Sequence, residues 1–432
     1  MNKKWWLVII ILAIALSACQ PAVTPTADTG ATKPPVGQTE EKIELVLWEQ
    51  SAEWRIKAQQ STIDAFVALH PNVTIRIESF PFVEYLPKIN SALQAGTAAD
   101  IITIVGQWAP PLIKAGLLEP IPTDVITPDQ LLANYWDGAA KEAIVDGKVM
   151  MFPNHITMGT GGLIYNEDLV KEAGLQIPPK FDTWDELMEA SQKCTKFDAD
   201  GKMTQAGYTA HGVIDSFMGT AMIMQEGQEI IVDNKVAFDN AGGLKALQMY
   251  QDIFLKWKVD DPEFPGGLDA FPQGRVCFMN IGAWAGKAAQ EQNAELKVGF
   301  GPPPPSINPE YPAFTQADTQ WQFIVNAKSA HKDVIWEFLK FYNQEEQWVN
   351  RVQFDGEVPA LKEATMEFAN DPVLAAYVES APLAKWSGYK VDREKFNNTF
   401  NTYLEQLARG DLTPEQALEG LTTDLNAVLA GQ

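Results

Sequence analysis

Apolar and polar positions along this chain follow two rhythms. The first begins with the apolar run Glu44 to Trp48, which predicts a strand. From there to Leu69 apolar residues recur at helical spacing through Trp54, Ile63 and Phe66, until Pro71 stops the helix. Val73 to Ile77 alternates as a strand. Val83, Leu86, Ile89 and Leu93 mark a second amphipathic helix ending at Gly96, and Ile101 to Val105 is a nearly unbroken apolar strand. A βαβαβ start of this kind predicts a parallel sheet in an α/β domain. Ligands of such sheets sit at the carboxyl ends of the strands, here Trp48-Glu49 and Gly106-Gln107-Trp108.

The second rhythm starts near residue 148. Lys148 to Phe152 and Leu163 to Tyr165 read as strands flanking a glycine-rich crossing; Asn166 opens a helix that Gly174 closes, and Thr183-Trp184-Asp185-Glu186 is a capping box that starts another. A helix through Leu244, Leu247 and Tyr250, a strand around Val276 and the stiff Pro302 to Pro305 stretch follow. The chain returns through the strand Trp321 to Val325 into a helix carrying Ile335, Phe338, Leu339 and Tyr342. Two more helices finish it, the last begun by Thr413-Pro414-Glu415-Gln416.

The N-terminus obeys neither rhythm. Lys3 and Lys4 precede an apolar run from Trp5 to Leu16 that is shorter than the roughly 20 residues needed to span a bilayer. It ends in Leu16-Ser17-Ala18-Cys19, a block that resembles the bacterial lipoprotein lipobox, which implies a signal peptide over 1–18, cleavage before Cys19 and acylation of Cys19. From Gln20 to Lys42 the chain is rich in Pro, Thr, Ala and Gly, as suits a flexible linker over 19–42. The remaining body, of about 390 residues, exceeds a single typical core and predicts two domains. A net charge of -23 argues against nucleic acid and against a basic membrane-binding face. Of 3 cysteines, Cys194 and Cys277 remain in the body. Export permits a disulfide between them, and two separate buried thiols satisfy the pattern equally.

The order of the pieces resembles the extracellular solute-binding proteins of ABC importers, in the carbohydrate-binding family that includes the maltose-binding protein. The fingerprints run from Phe66-Val67-Ala68-Leu69-His70-Pro71-Asn72-Val73 to Ala95-Gly96-Thr97-Ala98-Ala99-Asp100-Ile101, where the family usually has proline at the position of Ala99. They continue through Ala115-Gly116-Leu117-Leu118-Glu119-Pro120, Asp146-Gly147-Lys148 with Phe152-Pro153, Ile164-Tyr165-Asn166, and Pro178-Pro179 before Thr183-Trp184. Ala270-Phe271 with Gly274-Arg275, Gly282-Ala283-Trp284 and Glu337-Phe338-Leu339 complete them. Each is weak alone; together and in order they are specific. The resemblance implies a two-lobed, Venus-flytrap α/β fold in which each lobe is a mainly parallel sheet flanked by helices. Lobe 1 is expected to comprise 43–155 plus 313–357, and lobe 2 to comprise 156–312 plus 358–432. It further implies a monomer that takes a sugar or oligosaccharide into the interlobe cleft by hinge closure, delivers it to permease subunits, and is held by lipid on Cys19 at the outer face of the cell membrane or in the periplasm.

A sugar site needs aromatic rings for the sugar faces and carboxylates or amides for the hydroxyls. The chain has 13 Trp, most of which core packing would absorb. Position selects Trp48 and Glu49 at the end of the first strand, Gln107 and Trp108 after the third, and Tyr85 at the start of the second helix, with Phe82 as a cleft-edge or core ring. The resemblance adds Trp284, whose family counterpart stacks on sugar, and Asp318 and Trp321 after the second crossing between lobes, expected near Ala313 to Gln316. It also adds Trp386, for which packing stands beside ligand contact, while His155 in the hinge either donates to ligand or is a satisfied hinge histidine. Asp100 reads as a local cap rather than a contact.

Other chemistries fit poorly. Gly159-Thr160-Gly161-Gly162 lacks both the last glycine of a dinucleotide fingerprint and a following Gly-Lys-Ser/Thr. Asp198-Ala199-Asp200-Gly201 imitates part of a calcium loop, yet Lys196 takes the first ligand position and Gly207 replaces the closing glutamate, so a hairpin turn is expected. The 4 His have no metal spacing and no nucleophile motif is present, so neither cofactor, metal nor enzymatic activity is expected. The alternatives are a secreted carbohydrate-active hydrolase, a receptor that presents ligand to a sensor, and a binding protein for a polyamine or polyol phosphate. Phosphate recognition favours Arg and Lys, whereas the selected residues are aromatic, amide and acidic.

Overall fold

The structure, a computed structural model, describes residues 41–156, 161–212, 215–317, 320–388 and 393–431. The expected signal peptide, Cys19, nearly all of the linker and Asp318 lie outside the described residues. The body opens with β1 (Ile43–Gln50), α1 (Glu53–Leu69), β2 (Val73–Phe80), α2 (Phe82–Ala95) and β3 (Ile101–Val105), the predicted βαβαβ unit. β1 lies between β2 and β3 and is parallel to both. Gly96 ends α2 at φ 73, a left-handed cap that glycine adopts without strain. The helix turns Tyr85, Ile89, Ala92 and Leu93 inward. Val83, expected on that face, is 82% exposed because it stands two residues before the buried Tyr85 and so about 200° round the helix from it.

Asp146 and Gly147, both at positive φ, turn a two-residue hairpin in which Lys148–Val149 pairs with Ile144–Val145. That hairpin splits the strand expected over 148–152, and the longer strand β4 (Phe152–Ile156) starts after it. The chain then enters a second sheet with β5 (Gly162–Asn166), α3 (Trp184–Cys194), β6 (Lys196–Phe197), β7 (Met203–Thr209), α4 (Ala241–Leu255), β8 (Val276–Ile281), α5 (Trp284–Gln292) and β9 (Val298–Gly301). It returns through β10 (Thr315–Gln316) to β11 (Trp321–Val325), α6 (Lys332–Tyr342) and α7 (Glu345–Asp355). It then recrosses at β12 (Val358–Pro359) to α8 (Ala375–Ser380), β13 (Ala384–Lys385), α9 (Arg393–Arg409) and α10 (Pro414–Ala430).

The first sheet has the order β12-β4-β11-β3-β1-β2 and the second β9-β5-β8-β7-β6. Each is flanked by helices, giving the two-lobed α/β architecture that was expected. Strand direction is the correction. Only the pairs of β1 with β2 and β3 in the first sheet, and of β8 with β7 in the second, are parallel. β11 is antiparallel to β3 and β4, β12 to β4, and β5 to β8 and β9. Segments that cross between the sheets arrive from the opposite end to the strands they join, so both sheets are mixed.

Separate apolar cores back the sheets. Leu45, Leu47, Ile63, Phe66, Ile102, Ile104, Phe323 and Phe338 lie in the first. Leu163, Leu187, Tyr208, Leu247, Phe278, Phe400 and Leu421 lie in the larger core of the second. A smaller cluster joins them, in which Ile156, Val352 and Val358 meet Ala283, Leu374 and Tyr377. The Tyr377 hydroxyl donates to the Ile281 carbonyl at 2.9 Å, and a Cβ at Gly162 would strike the Tyr377 ring. Cys194 and Cys277 form a disulfide between the end of α3 and β8, resolving the open alternative in favour of the bridge. The Asp198 to Gly201 segment is the expected turn, with Asp198 Oδ1 accepting from the Asp200 and Lys202 amides at 3.0 and 2.9 Å.

Candidate functional site

Five strand ends of the first lobe converge on one edge. β1 ends at Trp48-Glu49-Gln50, and β3 runs into Gly106-Gln107-Trp108. β11 starts there, with Trp321 opposite Val105 on one side and His155 of β4 on the other; Pro359 of β12 is opposite His155. A Cβ at Gly106 would lie 2.4 Å from the Glu142 carboxyl carbon, so a side chain here would have to push that buried carboxylate aside.

Rings from these ends and from α2 form one contiguous patch. Trp108 contacts Phe82, Trp321 and Tyr85 with centroids 5.5, 6.2 and 6.4 Å apart, and Phe82 also meets Trp321 at 6.4 Å. Tyr85 stacks on Phe80 at 6.1 Å, which meets Trp48 edge-on at 5.1 Å. Exposure divides the patch. Phe82 is 49% exposed and Trp108 is half-buried, so these two offer free surface, with Trp321 at 6% behind them. Tyr85 is fully buried, and Trp48 donates its indole N–H to Glu78 Oε2 at 2.8 Å, which makes both a wall for the outer rings.

Beneath the rings lies a buried charged cluster. Glu49, wholly buried, accepts from the Gln59 side-chain amide at 3.0 Å and from the Gln50 backbone at 2.9 Å. Burial raises its carboxyl above the usual range, against the pull of Arg55. The Arg55 guanidinium lies 4.0 Å from the centroid of Trp321 and 4.6 Å from that of Trp54, a cation–π arrangement. Its Nη2 is 3.5 Å from His155 Nε2 and 3.8 Å from Glu357 Oε1, while Nε and Nη1 have no hydrogen-bond partner. Burial, with Asp355 adding to it, pushes the Glu357 carboxyl up to about 8; burial takes Asp355 to about 6. Burial, reinforced by Arg55 and Arg351, holds His155 well below its ordinary range, so its ring is neutral.

Of the residues selected from sequence, Trp48, Glu49, Tyr85, Trp108, His155 and Trp321 come together here, and Gln107 adjoins them in the chain, half-buried with its Oε1 unpartnered. Trp284 opens α5 in the other lobe, half-buried against the cluster of Ile164, Met279 and Ile281. Trp386 follows β13 and is half-buried. Among the described residues no ring contact joins either to the patch. Asp100 is not the local cap expected but a long-range link: its Oδ2 accepts from the Val46 amide of β1 and its Oδ1 from the Ser329 hydroxyl. Sequence reasoning missed Arg55, and it gave Glu357 no role beyond ending the second segment of lobe 1. A signal existed for Arg55, which shares the buried stripe of α1 with Ala58, Gln59, Thr62, Ile63 and Phe66; a cation on such a stripe requires buried partners. A cavity of about 780 Å³ lies elsewhere, among Phe197, Phe254, Leu255, Pro262 and Arg409, and includes none of the selected residues.

Two lobes on mixed sheets, joined by recrossing strands whose ends carry rings and buried charge, define the class of two-lobed extracytoplasmic binding proteins. The chain belongs to the bacterial extracellular solute-binding protein family, whose model matches residues 51–347. It is 24% identical to the maltotriose-binding protein of Pyrococcus abyssi over 79% of this chain and 72% of that protein. It is 22% identical to the galactooligosaccharide-binding protein of Bacillus subtilis over 97% and 96%. Among solved structures, the cyclic α-maltosyl-1,6-maltose binding protein of Arthrobacter globiformis superposes with TM-score 0.74 at 22% identity, covering 90% of this chain and 99% of that one. A solute-binding protein of Thermotoga lettingae bound with α-D-tagatose gives 0.71 at 22%, covering 89% and 99%. These relatives are named for binding, not for catalysis.

Proposed function

We propose that this chain is the capture subunit of an ABC importer for a neutral sugar or oligosaccharide. The saccharide is taken between lobe 1 (43–155 and 313–357) and lobe 2 (156–312 and 358–432) and handed to a membrane permease. The observation that carries this reading is the ring patch at the sheet edge, with Phe82 and Trp108 offering apolar faces and Gln107 beside them as a hydroxyl partner. The buried cluster beneath mixes the carboxylates Glu49, Asp355 and Glu357 with the cations Arg55, Arg351 and Lys287, so it is not the one-sign site that phosphate or polyamine recognition favours. The names of the relatives agree with the sugar class. Trp284, Trp386 and Asp318 are then the second lobe's and hinge's contributions, meeting the sugar when the lobes close. Acylated Cys19 and the linker would keep a monomeric catcher at the membrane, raising its concentration near the permease.

The test is a thermal-shift screen of the purified body with maltotriose, galactooligosaccharide, tagatose, spermidine and a polyol phosphate. A saccharide at a hundredfold excess over its Kd stabilises the folded state by about 2.7 kcal/mol. Stabilisation by spermidine or polyol phosphate alone, or cleavage of the glycan during incubation, overturns the reading. For the anchor, Cys19→Ser should release the protein from the membrane fraction.

A further inference from the structure

One contact between the lobes lies outside the ring patch. α7 packs on α1 and buries Trp348 in the first lobe's core; of its last-turn carbonyls, that of Val352 accepts from the Gly356 amide, while Phe354 stands too near the end for an intrahelical donor. Lys287, on α5, belongs to the other lobe, where Ala285 and Ala289 of the same helix sit in the core with Met279 and Ile281. Its ammonium donates to the Phe354 carbonyl at 2.5 Å, in the last turn of α7. Asp355 and Glu357 supply the opposing charge. A cation at a helix C-terminus also complements the negative end of the helix dipole. Gly356 makes the approach possible. It caps α7 at φ 63, and a Cβ there would come within 2.9 Å of Lys287 Cε and 3.1 Å of Nζ.

We propose that Lys287 is an interlobe tether: a second-lobe cation seated on the C-terminal end of a first-lobe helix, holding the lobes in the arrangement described and setting how readily they part. This rests on the reading that the lobes move relative to one another around a captured solute. Solute affinity in such a protein is scaled by the fraction of molecules in the competent arrangement, so the tether is a positioning device for capture that touches no ligand.

The test uses the full chain carrying Cys19→Ser, which leaves only the disulfide pair. Spin labels go at Leu132→Cys in the first lobe and Val232→Cys in the second, 46% and 48% exposed. Distances between labels are recorded without sugar. Lys287→Met is expected to shift or broaden the distance distribution, moving the balance of arrangements about tenfold, the weight of one charge-assisted hydrogen bond. Lys287→Arg should restore the parent distribution, and Gly356→Ala should reproduce the Met variant by displacing the ammonium. Distributions for Lys287→Met and Gly356→Ala that superimpose on the parent overturn the tether. Because the measurement needs no sugar, a failed sugar screen leaves it standing, while sugar binding with unchanged distances removes the tether alone.

Discussion

Replacing Arg55 with methionine keeps most of the stem and removes the one cation that stands between Glu49 and Glu357. The side chains of Arg55 and Glu357 are 7% and 3% exposed, so water cannot take over. Removing one partner of a buried ion pair costs about 3–5 kcal/mol, most of it from the charge left behind. Here part of that cost has an outlet. Burial already places the Glu357 carboxyl near 8, so at pH 6 it is protonated with or without Arg55 and leaves no bare charge, whereas at pH 9 the loss of Arg55 acts on the ionised acid. The loss should therefore sit near the low end of that range at pH 6 and near the high end at pH 9. Urea unfolding followed by tryptophan fluorescence reads it directly, since the guanidinium packs on Trp54 and Trp321. Adding Glu49→Gln and Glu357→Gln to Arg55→Met should recover at least half of the loss at pH 9. A loss under about 1 kcal/mol at pH 9, an equal loss at both pH values, or no recovery in the triple variant refutes the account of the cluster.

Trp108→Ala and Phe82→Ala should each weaken sugar affinity tenfold or more with the fold intact, about 1.4 kcal/mol, whereas Trp48→Phe should cost stability and leave affinity nearly unchanged; calorimetric titration separates the two. Stability should fall as pH rises, because folding lifts Glu357 from 4.5 to about 8 and Asp355 from 3.8 to about 6, so the folded state binds more protons across both windows. Melting temperatures between pH 5 and 9 check this, and Glu357→Gln should flatten the segment between 6 and 8. Reducing the Cys194–Cys277 disulfide, which closes a loop of 83 residues in sequence separation, should cost about 4–5 kcal/mol on the loop-entropy scale; a Cys194→Ser, Cys277→Ser variant with an unchanged unfolding midpoint would contradict it.

The fold was legible because its parts are local. The run Ile101 to Val105, the capping boxes at Thr183 and Thr413 and the left-handed stop at Gly96 depend on neighbours in sequence, and each stands where the pattern put it. The order of the fingerprints carried the family. The site was legible where strand ends reveal it, so Trp48, Glu49, Gln107 and Trp108 could be selected from the edge of a predicted sheet. What each does could not be selected. Trp48 and Trp108 read alike as aromatic residues beside a strand end, yet one spends its indole on Glu78 and the other keeps a free face.

Periodicity and capping act over a few residues, so the α/β elements, the family and the edge at which chemistry gathers could be read along the chain. Strand direction, the Cys194–Cys277 bridge and the company of Arg55 come from long-range packing. Arg55, His155 and Glu357 are a hundred or more positions apart from one another. Their meeting depends on how three crossings bring α1, β4 and the entry to β12 to one edge, and long-range packing of that kind leaves no trace in local periodicity.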